Sequence, residues 1–211
     1  MNLIKELQKS ALTTTGEFIG TREALNWIKH QNEQVNVQIE KTSIHQIKDW
    51  AFDEGLGVLK HKSGGFFSIE GINVQTNKGP ISEWDQPIIN QPEIGYLGFL
   101  VKEINGIIHF LVQAKIEPGN INHVQLSPTI QATKSNYTLK HKGNKPKYLE
   151  YFVNAKSKNI LLDQLQSEQG ARFLKKRNRN IIVLINEDIE VYENFLWLSL
   201  GQIKQLMLSD N

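Results

Sequence analysis

Side chains able to move protons are concentrated around residues 113–137, which read QAKIEPGNINHVQLSPTIQATKSNY. Lys115 and Glu117 lie where an apolar run gives way to a turn, a position from which functional side chains commonly project. A surface ion pair explains the same two residues equally simply. Tyr137 can donate a hydrogen bond or stack on an aromatic base, and half-buried packing is its alternative. A little further on, His141 titrates near neutrality and can act as acid or base, although a lone histidine is more often an ordinary surface residue.

The same stretch carries a row of amides and hydroxyls. Between residues 126 and 132 polar and apolar side chains roughly alternate, which indicates a strand with one wet face. A face built from amides and hydroxyls suits a sugar or a nucleobase. The substrate-binding candidates in this stretch are Asn120, Gln125, Ser127, Thr129, Gln131, Thr133, Ser135 and Asn136.

A second polar motif, SEQG, precedes a basic run near the end of the chain. Within it, Glu168 can serve as a base or cap the N-terminus of a helix, and Gln169 adds an amide. In the basic run, Arg172 and Arg177 have the forked donors that suit a diphosphate. A solvated face or a nucleic-acid contact would produce the same run. Residues 163–176 predict a helix, which Gly170 weakens.

Neither a metal nor a cofactor is expected. The chain contains no cysteine, so a thiolate zinc site is excluded, and its six histidines show no close paired spacing. The predicted helix at 163–176 contains two acids, Asp163 and Glu168. A magnesium-dependent pyrophosphate hydrolase needs a larger cluster of glutamates on such a helix, so hydrolysis of that kind is not expected.

An α+β domain with a central, mixed and mostly antiparallel sheet flanked by helices would position these residues. The clearest element is a hairpin of 94–103 and 107–115, joined by the turn dipeptide Asn105-Gly106. Further strands are predicted at 65–74 and 181–185. Helices are predicted after Thr21, after Ser43 with Gln46, and after Ser199 with Gln202; the last two pairs form capping boxes.

Composition narrows the class of protein. The 211 residues are 39% hydrophobic and 22% charged, which is typical of a folded globular protein. The 24 basic and 22 acidic side chains give a formal net charge of +2, too near zero to indicate a nucleic-acid partner. No apolar stretch has the length of a membrane span or a signal peptide, so no membrane partner and a cytoplasmic location are expected.

Several motifs together resemble the NDP-hexose 2,3-dehydratase family. The strongest are the 113–137 string, SEQG, and Arg172-Phe173 leading into KRNRN; weaker agreement extends through GGFFSIEG, WDQPIINQPE and FLWLSLGQIKQL. The resemblance implies a Nudix-like fold without the Nudix metal signature. It also implies a nucleoside-diphosphate 4-keto-6-deoxyhexose as substrate, usually a thymidine diphosphate sugar, on a deoxysugar biosynthetic route.

The implied chemistry assigns roles to the candidates. A 4-keto group acidifies the hydrogen on carbon 3, so a base can remove it, and the hydroxyl on carbon 2 can then leave. The reaction needs a base, donors for the enolate oxygen and an acid near the hydroxyl. The expected catalytic residues are Lys115, Glu117, Tyr137, His141 and Glu168, with Gln169, Arg172 and Arg177 as further substrate contacts.

The resemblance also bears on organisation. Residues 1–60 are expected to form a helical and connecting segment, and residues 61–211 a sugar-nucleotide-binding module, together one compact domain. Family members typically carry two such modules in tandem, whereas this chain has one, so a homodimer is expected. The main alternative to a dehydratase is a catalytically silent module that binds sugar nucleotides. A nucleic-acid-binding protein that uses the basic run is the weaker alternative.

Overall fold

The computed structural model describes residues 3–137 and 144–209. Within those ranges, the helices are α1 (Leu3–Leu12), α2 (Thr21–Glu33), α3 (Lys134–Tyr137), α4 (Leu149–Val153) and α5 (Leu200–Leu206). The strands are β1 (Trp50–Asp53), β2 (Val58–His61), β3 (Ser68–Gln75), β4 (Glu83–Asn90), β5 (Tyr96–Ile104), β6 (Ile107–Ile116), β7 (Val124–Pro128), β8 (Ile130–Ala132), β9 (Ile160–Ser167), β10 (Arg177–Leu184) and β11 (Phe195–Ser199). Single 3-10 turns lie at Ile44–Gln46 and Ser157–Asn159. No helix in the described ranges is both long and apolar enough to cross a membrane.

The larger sheet runs in the order β11-β6-β5-β10-β9, with β7 paired to β6 and β8 paired to β5. The β5–β10 pair is parallel, and the other pairs in this sheet are antiparallel. The prediction of an α+β fold with a mixed, mostly antiparallel sheet is therefore confirmed.

The predicted β5–β6 hairpin is present, and local backbone geometry explains why it forms. Asn105 and Gly106 have φ values of 50° and 75°, the paired left-handed conformations of a type I′ turn. Asparagine tolerates this region better than other residues with a Cβ, and glycine has no Cβ to clash. The dipeptide thereby fixes the register in which Glu103 pairs with Ile108.

The β5–β6 pairing ends after a few residues, and the two strands then separate. They pair from Ile104 to Val101, after which β6 pairs with β7 and β5 pairs with β8. Thr129 sits in the split, where its hydroxyl accepts a hydrogen bond from Leu100 N (2.9 Å) and donates to Leu111 O. Separation of these strands brings polar side chains from both to one place.

Both faces of the central strands of the larger sheet are covered. On one face, Leu100, Leu111 and Ile181 pack with Phe152 of α4. On the other, buried side chains of β6 and β11 pack with α1, α2 and α5, in two adjoining clusters that share Ile203. The Ser199–Gln202 capping box at the start of α5 is confirmed, with both reciprocal hydrogen bonds formed.

The smaller sheet, in the order β1-β2-β3-β4, is antiparallel throughout. Its last strand is tied to the segment between β9 and β10. Ile89 N donates to Arg172 O (2.8 Å), Leu174 N donates to Ile89 O (2.9 Å), and the Gln86 side chain donates to Ala171 O (2.9 Å). The 171–174 segment thus links the two sheets.

The predicted helix at 163–176 is wrong. Residues up to Ser167 form β9, which pairs with β10, and a loop follows that bonds to β4. Intrinsic helix preference is worth only tenths of a kcal/mol per residue, whereas the β9–β10 ladder supplies backbone hydrogen bonds along both strands. Glu168 and Arg172 consequently lie on a loop.

Two further helix predictions need correction. The predicted capping box at Ser43 is not formed: the Ser43 side chain accepts from His45 N at the single 3-10 turn Ile44–Gln46, and β1 begins soon after, at Trp50. Thr21 was expected to precede the second helix as its cap, but it is the first residue of α2 and Gly20 holds the N-cap position; the Thr21 hydroxyl donates to Thr14 O. The boundary expected between the N-terminal segment and the module, at residues 60 and 61, falls within β2. The helix α1 was not predicted as a separate element.

Candidate active site

Two adjoining cavities open beside the β5–β6 split. The central cavity has a volume of about 250 Å³. Its lining includes the predicted site residues Lys115, Gln131, Thr133, Asn136 and Glu168. The side cavity, of about 580 Å³, contains Tyr137 and shares Gly95 and Tyr96 with the central one. Together the two volumes fall in the range of roughly 300–1,000 Å³ usual for small-molecule sites.

Lys115 enters the central cavity from β6 as half of an ion pair. Its Nζ lies 2.8 Å from Glu117 Oε1, and its side chain is 27% exposed. Glu117 follows the end of β6, where its backbone N–H donates to His123 O (3.3 Å) and closes the turn. The sequence left open a functional pair or a surface ion pair; the structure shows a pair whose lysine lines a cavity.

Glu168 forms another part of the central cavity wall and is held by a neighbouring amide. Asn178 Nδ2 donates to Glu168 Oε1 over 2.8 Å, while Asn178 Oδ1 accepts a hydrogen bond from Gly95 N over 3.3 Å. Asn178 is only 8% exposed, so these contacts are shielded from water. A Cβ at Gly95 would lie 2.9 Å from Ala132 O and 3.3 Å from Asn178 Oδ1, so this approach requires glycine.

Lys176 contributes a buried positive charge to the same wall. It is 4% exposed, and its Nζ donates to the main-chain oxygen of Glu93. Burial lowers the pKa of Lys176, while the carboxylates of Glu93 and Glu168 act in the opposite direction. The Glu93 carboxylate also accepts the backbone N–H of Ser135 over 2.9 Å, and so joins α3 to this wall.

The side cavity is built around two tyrosines and an arginine. The rings of Tyr96 and Tyr137 lie 5.6 Å apart, and Arg179 donates to the Tyr96 hydroxyl over 3.2 Å. Arg179 also forms a forked contact with both carboxylate oxygens of Asp163. That contact lowers the pKa of Asp163, and burial raises the pKa of the Tyr137 phenol.

Other predicted substrate contacts lie away from both cavities. Gln125 and Ser127 line a separate, mostly apolar groove of about 340 Å³ between β7, α2 and α5. Thr129 and Ser135 are 2% and 3% exposed; the first bridges β5 and β6, and the second bonds to Thr133 Oγ over 3.0 Å. Asn120 donates to His123 O within the turn after β6.

The SEQG motif and the basic run that follows it are placed differently from expectation. Gln169 accepts the backbone N–H groups of Arg172 and Phe173 in a tight turn. Arg172 and Arg177 are exposed and line neither cavity. Arg172 lies on the loop after β9 and Arg177 begins β10, so the predicted helix positions neither of them. His141 lies outside the described residues.

Five residues that line or adjoin these cavities were not predicted as site residues: Glu93, Tyr96, Lys176, Asn178 and Arg179. Glu93 lies at the end of the WDQPIINQPE motif, and Lys176 and Asn178 belong to KRNRN, so the motifs contained a signal. Within KRNRN, alternate residues Lys176 and Asn178 are buried while Arg177 is exposed. A strand assignment would have revealed that alternation. Within the described ranges, no group of three or more histidine or acidic side chains is placed to hold a metal ion.

The chain belongs to the NDP-hexose 2,3-dehydratase family, whose sequence profile matches residues 21–211. It is 44% identical over 210 residues to a dTDP-4-dehydro-6-deoxy-alpha-D-glucopyranose 2,3-dehydratase of Saccharopolyspora spinosa, covering 100% of this chain and 43% of that protein. An enzyme of the same name from Amycolatopsis orientalis is 45% identical, covering 95% and 44%. The corresponding protein of Streptomyces violaceoruber is 43% identical, covering 88% and 42%. The chain thus spans less than half the length of these relatives.

Among solved structures, the Ap4A hydrolase of C. elegans aligns with a TM-score of 0.30 and 12% identity. The alignment covers 55% of this chain and 86% of the hydrolase. A score at that level does not assign a fold, so the Nudix-like arrangement stays a prediction.

Proposed function

We propose that this chain removes water across carbons 2 and 3 of a nucleoside-diphosphate 4-keto-6-deoxyhexose. The observation that carries the proposal is the central cavity, where Lys115 from β6 and Glu168 from the β9–β10 loop line one space. Family membership supports the reaction class. The names of the relatives support dTDP-4-dehydro-6-deoxyglucose as the substrate.

In the proposed reaction, Glu168 is the base. Its Oε1 is held by Asn178, and the side chain lines the cavity in which the sugar would lie. The carboxylate takes the proton from carbon 3, and the electron pair of that bond moves toward the 4-keto oxygen to give an enolate. Collapse of the enolate forms the double bond between carbons 2 and 3 and expels the hydroxyl from carbon 2.

Lys115 is the proposed acid. Its ammonium, held by Glu117, can give a proton to the departing hydroxyl so that water leaves. The amides and hydroxyl of Gln131, Asn136 and Thr133 line the same cavity and supply donors and acceptors for the sugar.

The nucleotide is proposed to lie along the side cavity. Tyr137 can stack on the base there, and Lys134 and Arg179 border that cavity and can supply donors for the diphosphate. Gly95 and Tyr96 border both cavities, and one ligand is proposed to extend across them.

Incubation with dTDP-4-keto-6-deoxyglucose tests the function directly. Mass spectrometry should detect the loss of one water, and the hydrogen on carbon 3 should exchange with deuterated water. Glu168→Gln should lower that exchange by about 100- to 10,000-fold, the usual cost of losing a positioned base. Glu193→Gln, which changes an exposed carboxylate, serves as the matched control. A chain that binds thymidine diphosphate but catalyses neither exchange nor water loss would be the silent binding module instead.

We also propose that the chain forms a homodimer in the cytoplasm. The smaller sheet region exposes large apolar side chains, including Phe52, Leu56 and Trp84, which a second copy can cover. Light scattering at micromolar concentration should give the mass of two chains, and a monomer with full activity would contradict the dimer. The charged nucleotide sugar does not cross membranes unaided, so cell fractionation should place the chain with the cytoplasmic enzymes.

A further inference from the structure

Lys176 is the buried cation of the central cavity, and the backbone before it explains its orientation. Lys175 has a left-handed φ of 49°, which costs roughly 1–2 kcal/mol for a residue with a Cβ. Lys175 is exposed, whereas the next residue, Lys176, is 4% exposed and lines the cavity. Strained backbone of this kind persists where the surrounding structure holds it, often beside functional sites.

The Lys176 ammonium has hydrogen-bonding capacity left for a ligand. An ammonium carries three N–H donors. Among the described residues, its one hydrogen-bond acceptor is the main-chain oxygen of Glu93. A charge buried this deeply is costly unless oxygen atoms surround it, so an oxygen of a bound molecule would complete its coordination.

The chain register places Lys176 beside the proposed base. The backbone N–H of Glu168 donates to Lys176 O over 3.0 Å, one step beyond the Arg177–Ser167 pair of the β9–β10 ladder. Both side chains line the central cavity. A sugar carbon within reach of Glu168 therefore lies near Lys176, and the keto oxygen is attached to the carbon next to the one that loses its proton.

Local charge favours a keto oxygen over a diphosphate as the partner of Lys176. The carboxylates of Glu93 and Glu168 both act on this ammonium, and the nearby Lys115 is already paired with Glu117. A diphosphate placed in the central cavity beside Lys176 would meet the carboxylate of Glu168, which lines the same cavity. A ketone is neutral when it binds and gains negative charge only as the proton leaves, so it benefits from the ammonium when the barrier is crossed.

We infer that Lys176 is a further catalytic residue of the proposed elimination, and that its ammonium donates to the 4-keto oxygen and stabilises the enolate. The inference rests on the proposed function. The proton of carbon 3 goes to Glu168, the electron pair goes to the oxygen that Lys176 holds, and the hydroxyl leaves with the proton from Lys115. Lys176 keeps its own protons throughout.

The test compares Lys176→Met with the wild type and with Lys175→Met, its exposed neighbour. Two quantities are measured: exchange of the carbon 3 hydrogen with deuterated water at saturating dTDP-4-keto-6-deoxyglucose, and affinity for thymidine diphosphate by calorimetry. Lys176→Met should lower exchange by about 100- to 1,000-fold, the usual effect of removing an oxyanion donor. Its affinity for thymidine diphosphate should stay within about threefold of wild type, and Lys175→Met should match wild type in both, since neither side chain is proposed to hold the diphosphate.

Exchange by Lys176→Met within about threefold of wild type would overturn the inference. Weaker binding of thymidine diphosphate with unchanged exchange at saturation would also overturn it, because Lys176 would then hold the diphosphate. If the methionine variant does not fold, Lys176→Gln retains a donor for Glu93 O without the charge, and the same loss of exchange is expected. Absence of exchange in the wild type would refute the proposed function itself, and the role of Lys176 with it.

Discussion

Replacing Asn178 with aspartate tests the hydrogen bonds that hold Glu168 in the cavity wall. In the wild type, the Asn178 side chain donates to Glu168 Oε1 over 2.8 Å and accepts from Gly95 N over 3.3 Å. Aspartate keeps the acceptor for Gly95 but brings a second carboxylate to Glu168. The new charge also lies at a position that is only 8% exposed.

The expected loss of stability follows from two contributions. A hydrogen bond to a charged group is worth about 1.5–3 kcal/mol, and this one is lost. Two like charges about 4 Å apart repel by roughly 4 kcal/mol at an effective dielectric constant of about 20. Glu168 is half-buried and can turn into the cavity, so about half of that repulsion should remain. The free energy of unfolding should fall by about 3–5 kcal/mol at neutral pH.

The repulsive part should depend on pH in a defined direction. Sharing one proton between the two carboxyls relieves the repulsion, so the folded variant binds that proton more tightly than the unfolded chain. A carboxyl whose pKa is raised by folding contributes its full stability below its unfolded pKa of about 4, and that contribution is lost as the pH rises. The deficit relative to wild type should therefore be smaller at about pH 4 than at about pH 7, by about 2 kcal/mol.

Urea unfolding followed by tryptophan fluorescence at both pH values measures this difference. Asn180→Asp is the matched control, because Asn180 lies on the same strand and its Nδ2 donates to the Asn178 main-chain oxygen (3.4 Å) rather than to a carboxylate. The control should lose less stability and show no comparable recovery in acid. An Asn178→Asp deficit that is the same at both pH values, or absent at neutral pH, would refute the reasoning.

Four further outcomes are expected. Arg172→Ala and Arg177→Ala should each bind thymidine diphosphate within about twofold of wild type by calorimetry, since neither lines a cavity. Asp163→Asn should lose less stability than wild type between about pH 5 and pH 3 in thermal melts, because the contact with Arg179 lowers the pKa of Asp163 and its stabilisation is lost as the pH falls. Tyr137→Phe should resist alkali better above about pH 10, because the raised pKa of Tyr137 makes the folded wild type lose stability as the pH rises. Activity should survive a strong chelator, and its restoration by added magnesium would contradict the expected metal independence.

Elements governed by local chemistry were predictable from the sequence. The β5–β6 hairpin follows from Asn105-Gly106, since that dipeptide tolerates the two left-handed conformations of the turn. The α5 capping box follows from the spacing of Ser199 and Gln202, which lets each side chain bond the backbone of the other residue. Both signals are contained within a few residues of chain.

Elements decided by distant pairing were not predictable in this way. The apolar spacing in 163–176 suggested a helix, yet β9 gains its hydrogen bonds from β10, whose sequence lies beyond a loop. The same error placed Arg172 on a helix and hid the burial of Lys176 and Asn178. Lys115 and Glu168 were candidates from their motifs alone, but that both line one cavity could be seen only from the pairing of distant strands.

The central cavity also depends on the smaller sheet. Glu168 and Lys176 flank the loop between β9 and β10, and Ile89 in β4 exchanges two backbone hydrogen bonds with Arg172 and Leu174 of that loop. Phe173, between those bonded residues, itself lines the cavity. Because these hydrogen bonds join the cavity wall directly to β4, we expect a contact that shifts the smaller sheet to shift Phe173 and the loop between Glu168 and Lys176 with it. The proposed dimer, formed through the apolar surface of that sheet, would thereby act on the geometry of the proposed base without contributing a residue to the cavity.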